Sequence, residues 1–130
     1  MYKNKNILIV NANYYKKITN KMLHLQLNDL IKMKAKTKVI SVSGAFEIPL
    51  MISRNLKKYD GFIAIGCVIK GQTSHYDFIC NSVFSSLIGL MIKSNKPIAN
   101  SILTTNNSSQ ALKRVKKKSK ESINSLKSFL

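Results

Sequence analysis

The sequence predicts a three-layer α/β/α fold on a four-stranded parallel sheet, flavodoxin-like in plan. Three observations predict it. Strand-like and helix-like segments alternate four times along the 130 residues. Two strand-like segments, residues 7–10 (ILIV) and 61–69 (GFIAIGCVI), are continuously apolar, as strands buried on both faces are. The segments between strands have helical period and enough length to carry the chain back for parallel pairing. A chain of this size forms one core, so residues 1–130 are expected to be a single domain with no linker or repeat.

The elements follow in order. Residues 7–10 start after a charged, asparagine-rich stretch and stop at Asn11. A charged start before apolar residues can imitate a signal peptide, but four residues are too few and no small-residue cleavage site follows. Ile18, Met22, Leu23, Leu27, Leu30 and Ile31 then recur at three- and four-residue steps, a helix period with lysine and asparagine opposite. Residues 37–42 are rich in β-branched side chains and predict a second strand, broken by Gly44. Pro49 suits the start of a short helix running through residues 50–56. Gly61–Ile69 is the third strand, ended by Gly71. Thr73 and Ser74 offer N-cap hydroxyls, and Asp77 follows Ser74 by three in the manner of a capping box. Ile79, Val83, Leu87, Leu90 and Met91 carry a long helix to about Lys93. Residues 97–103 predict the fourth strand, residues 104–110 a helix cap, and the rest a very basic helix.

Composition narrows the function. No apolar run approaches the roughly 18–20 residues that cross a bilayer. Cys67 and Cys80 are the only cysteines, too few for a disulfide framework and wrongly spaced for zinc, so they read as reduced core thiols of a cytoplasmic protein. No metal site is expected. The net charge is +17. That balance suits polyanions, and residues 113–120 (KRVKKKSK) concentrate it. Yet lysine is spread over the whole chain, so no specific nucleic-acid partner is expected. A basic nucleic-acid-binding module stays open as a rival.

Ligands of open parallel sheets bind beyond the carboxyl ends of the strands. Residues 11–15, 43–47, 70–75 and 104–107 meet that condition and hold most of the unusual residues. In Lys70-Gly71-Gln72-Thr73-Ser74-His75, a polar loop enters a helix whose first N–H groups favour an anion. The P-loop spacing is absent. His75, in the first turn, can exchange protons near neutral pH, or it is simply an exposed or capping residue. His24 sits in a lysine-rich helix and reads as surface. Glu47, one of five acids, either stabilises a helix start or accepts hydrogen bonds from ligand hydroxyls. Tyr14 either stacks on a planar ring or packs on the surface. No nucleophile elbow appears.

Three ordered stretches resemble the lumazine synthase family, from about Ile7 to about Glu121. SGAFEIP (43–49) is similar to that family's PGAFEIP. IGCVIKGQTSHYDFICN (65–81) is similar to its GxVIxGxTxHxDxVxN signature, and KPIANSILTTNNSSQALKR (96–114) to its xPxxxGxLTTxxxEQAxxR segment. The resemblance implies condensation of 5-amino-6-(D-ribitylamino)uracil with 3,4-dihydroxy-2-butanone 4-phosphate to 6,7-dimethyl-8-ribityllumazine. Phosphate and water are released, without metal or organic cofactor. It implies His75 as proton donor and acceptor. Tyr14, Ala45, Phe46, Glu47, Cys67, Val68, Ile69 and Asn100 would hold the aminouracil and its ribityl chain. Gln72, Thr73, Arg114 and Lys118 would hold the phosphate. It further implies a homopentamer, or assemblies of pentamers, with Asn100 and Arg114 facing a neighbour's pocket, and riboflavin synthase as a candidate partner. Several departures stand out. Asn100 replaces a common phenylalanine, Ser43 replaces a proline, and Tyr15 with its following lysines replaces a polar loop. The stretch after Arg114 and the N-terminal extension are short. A catalytically degenerate scaffold of the same fold is the remaining alternative.

Overall fold

The computed structural model describes residues 2–71 and 74–130. Four strands form one parallel sheet in the order β2-β1-β3-β4. They are β1 (Asn6–Ala12), β2 (Lys36–Val42), β3 (Gly61–Ile69) and β4 (Ile98–Thr105). The helices are α1 (Lys16–Lys32), α2 (Ile48–Asn55), α3 (His75–Ser94) and α4 (Ser108–Lys127), with a 3-10 turn at Ala45–Glu47 before α2. The expected three-layer α/β/α arrangement is what forms.

Side-chain alternation divides the core into two layers. Ile7, Ile9, Ile63, Ile65 and Leu103 point towards α1 and α4, meeting Met22, Leu30, Val115 and Ile123. Leu8, Val10, Phe62, Ala64 and Ile102 point the other way, meeting Ile48 and Ile52 of α2 and Val83 and Leu87 of α3. Residues 7–10 of β1 and all of β3 are therefore apolar at every successive position, and Ile7 to Val10 are fully buried. β2 is an edge strand and alternates between half-buried and exposed residues.

Most sequence boundaries move by a few residues at element ends. β1 runs on to Ala12 because its outer residues still pair with β2 through Val42. β4 begins at Ile98 rather than Pro97; Pro97 has no N–H, but its carbonyl accepts from the Phe62 N–H at 3.0 Å. α3 starts at His75, earlier than its apolar period shows. The capping box expected at Ser74 does not form: Ser74 is the N-cap residue, but its side chain makes no cap hydrogen bond. A reciprocal cap forms instead at α4. Asn107 Oδ1 accepts from the Gln110 N–H at 2.9 Å, and Gln110 Oε1 accepts from the Asn106 N–H at 2.8 Å.

α1 ends in a Schellman motif. The Ala35 N–H donates to Leu30 O and the Lys34 N–H to Ile31 O, with Lys34 at φ 60°. That left-handed position costs a residue with a Cβ about 1 kcal/mol relative to glycine. Lys34→Gly is expected to stabilise the protein by about that amount, read as a raised midpoint in thermal melting.

Candidate active site

The strand order reverses beside β1: β2 lies on one side and β3 on the other. This is the switch point where open α/β sheets leave a crevice. A cavity of about 300 Å³ opens there. The chain leaving β1 supplies Tyr14 and Tyr15, and the end of β3 supplies Cys67, Val68 and Ile69. The turn after β2 brings Ala45, Phe46 and Glu47, and the first turn of α3 brings His75. Eight of the residues predicted from sequence thus meet in one place, although they come from four separate stretches.

Local geometry explains the placement. Gly44 is extended (φ −158°, ψ 176°) and turns the end of β2 into the 3-10 turn. Glu47 sits directly before α2, yet its side chain makes no cap bond to that helix. Its Oε1 accepts from the Ser43 hydroxyl at 2.8 Å instead, which turns the carboxylate to the cavity side. Tyr14 is 75% exposed and Phe46 66% exposed. Tyr14 meets Tyr15 edge to face, with ring centroids 4.9 Å apart at 77°. Burial pushes the Cys67 thiol up to about 11, so it is a neutral thiol at neutral pH. Burial also raises the Tyr15 phenol, helped by the neighbouring Tyr14 and Cys67.

Arg114 and Lys118 go elsewhere. They line a second cavity of about 240 Å³ on the edge of the sheet, between α4 and the end of β4. Arg114, Lys117, Lys118 and Glu121 are spaced three, four and seven residues apart, which places them on one face of α4 opposite Thr104. The two cavities have no lining residue in common. Asn100 lines neither; it is exposed on β4, and its Oδ1 accepts from the Ile102 N–H at 3.1 Å. Gln72 and Thr73 lie outside the described residues.

Sequence reasoning missed Ile79 in the first cavity, and Thr104, Lys117 and Glu121 in the second. The helical spacing of Lys117 and Glu121 from Arg114 was a visible signal. No helix of the described residues is long and apolar enough to cross a membrane.

A parallel α/β sheet with a histidine, an oriented carboxylate and aromatic walls at its switch point defines an enzyme acting on a small molecule. The chain belongs to the 6,7-dimethyl-8-ribityllumazine synthase family, whose match covers residues 4–128. It is 38% identical over 123 residues to the 6,7-dimethyl-8-ribityllumazine synthase of Bartonella tribocorum, covering 92% of this chain and 82% of that one. It is 43% identical over 109 residues to the protein of that name from Limosilactobacillus reuteri, covering 82% and 72%. The Bartonella henselae protein of that name is 38% identical over 122 residues, covering 91% and 79%.

Proposed function

We propose that the chain condenses 5-amino-6-(D-ribitylamino)uracil with 3,4-dihydroxy-2-butanone 4-phosphate to 6,7-dimethyl-8-ribityllumazine. The observation that carries this reading is the gathering of Tyr14, residues 45–47, residues 67–69 and His75 around one switch-point cavity. The aminouracil ring lies against Tyr14 and the end of β3, and its ribityl hydroxyls donate to Glu47. The primary amine attacks the ketone of the four-carbon phosphate, and water leaves as the imine forms. Phosphate is then eliminated, and the second amine closes the ring with loss of a further water. His75 carries protons between these steps. Most of the acceleration comes from holding two reactants together. His75→Ala therefore slows turnover only moderately.

The phosphate needs a cationic clamp, and Arg114 with Lys118 is the chemically suited one. The family resemblance adds Gln72 and Thr73 to that clamp. That Arg114 and His75 line separate cavities of one chain supports a complete site shared between neighbouring subunits. Exposed apolar residues support such an assembly: Phe46, Phe78 and Ile92 are 66%, 67% and 75% exposed. Asn100 then faces the neighbour's ring pocket. A pentamer, working in the cytoplasm, is the oligomer proposed.

Purified protein mixed with both substrates is expected to produce lumazine absorbance well above the spontaneous rate. A rate equal to the background would overturn the reading and favour a scaffold role. Solution mass tests the shared site, since a monomer could not form it. Ser43→Ala frees the Glu47 carboxylate and is expected to raise KM for the aminouracil about two- to fivefold. KM for the phosphate substrate should stay unchanged, as steady-state kinetics with each substrate varied will check.

A further inference from the structure

Behind the tyrosine pair lies a further cavity of about 590 Å³, nearly twice the roughly 300 Å³ of the candidate active site. Tyr14 and Tyr15 form the wall between the two. The cavity runs between the start of α1 and the start of α4, at the carboxyl end of the sheet. Its apolar surface comes from Ile18, which is buried, and Leu112, which is 46% exposed, together with the two rings. Lys16, Lys17 and Lys21 stand around it, and the only other lining residue is Ser108. No carboxylate lines it, although Glu47 and Glu121 line the other two cavities.

We propose that this cavity binds a planar aromatic group carrying a phosphate, as a nucleotide or a flavin phosphate does. Two features select that chemistry. Apolar and aromatic surface of this extent gains nothing from a small hydrated anion but does gain from a ring. Three exposed lysines around one volume favour a ligand with more than one negative charge over a neutral one. Lys17 and Lys21 are one helical turn apart, so both reach the same side of the cavity. The volume lies in the range of ordinary small-molecule sites. The ligand is distinct from the two substrates proposed above, of which one lacks a phosphate and the other lacks a ring.

Titration calorimetry of the full chain with adenosine 5′-monophosphate, flavin mononucleotide and inorganic phosphate tests the proposal. At least one of the two aromatic phosphates is expected to bind at least tenfold more tightly than inorganic phosphate. The double substitution Lys17→Gln/Lys21→Gln should weaken it tenfold or more while leaving lumazine formation unchanged. Lys57→Gln/Lys58→Gln removes the same charge from a distant turn and should leave binding intact, as should Arg114→Ala. Leu112→Trp, which fills the cavity without altering charge, should also weaken it. Binding that ignores the Lys17/Lys21 pair, that falls equally with the Lys57/Lys58 pair, or that is matched by inorganic phosphate would overturn the proposal. So would no binding at all. The lumazine assay is read separately, so failure here leaves the proposed reaction standing, and the reverse.

Discussion

Arg114→Ala is expected to raise KM for the four-carbon phosphate roughly 30- to 100-fold, the equivalent of about 2–3 kcal/mol for a charge-assisted hydrogen bond. KM for the aminouracil should move little. The asymmetry follows from placement. Arg114 shares its cavity with Lys117 and Lys118, whereas Tyr14, Glu47 and the end of β3 line the other. Arg114 is exposed on α4, so its removal should not disturb the fold. Steady-state kinetics with each substrate varied in turn provides the measurement. Equal effects on both constants would remove Arg114 from the phosphate role. Lysine at this position should recover part of the effect, because it restores the charge but not the paired geometry of a guanidinium.

Phe62→Ala is expected to destabilise the protein by about 3–5 kcal/mol, measured as a lowered midpoint in urea unfolding. Phe62 is fully buried on β3 and belongs to the layer that includes Ile48, Ile52 and Leu87. Its ring meets Tyr59 at 6.1 Å and 69°, and its N–H donates to Pro97 O across to β4. The backbone bond survives the substitution, so the loss is that of packing and the cavity left behind. A total stability of about 5–15 kcal/mol makes this a large fraction. A smaller effect would mean that α2 and α3 collapse into the space.

The fold was legible because its central strands carry no ambiguity. Gly61–Ile69 is apolar throughout and bounded by Asp60 and Lys70, and the strand occupies that span. The start of α4 was less legible. Its cap is made by Asn107 and Gln110, polar residues of a kind that also fill loops. Gln26 shows a deeper limit. It is a polar residue one helical turn from both Met22 and Leu30, so it lies on the inward face of α1, and it is fully buried. Its amide donates to the Ser101 hydroxyl at 2.8 Å, a residue of β4 far along the chain. Only tertiary structure brings two such partners together. The site shows the same division. Motif residues marked eight side chains that line one cavity, because they cluster after strand ends. Their division between two cavities depends on how α4 lies against β4, and no local pattern encodes that.

The separation of those cavities has a genetic consequence. If each working site takes one half from each of two adjacent copies, two impaired alleles can repair one another. Glu47→Ala damages one half and Arg114→Ala the other. Unfolded together, mixed in equal amounts and refolded, they should regenerate about one intact site in four around a closed ring. Either variant refolded alone should regenerate none. A cell carrying both defective copies would then make more of the product than either copy makes by itself.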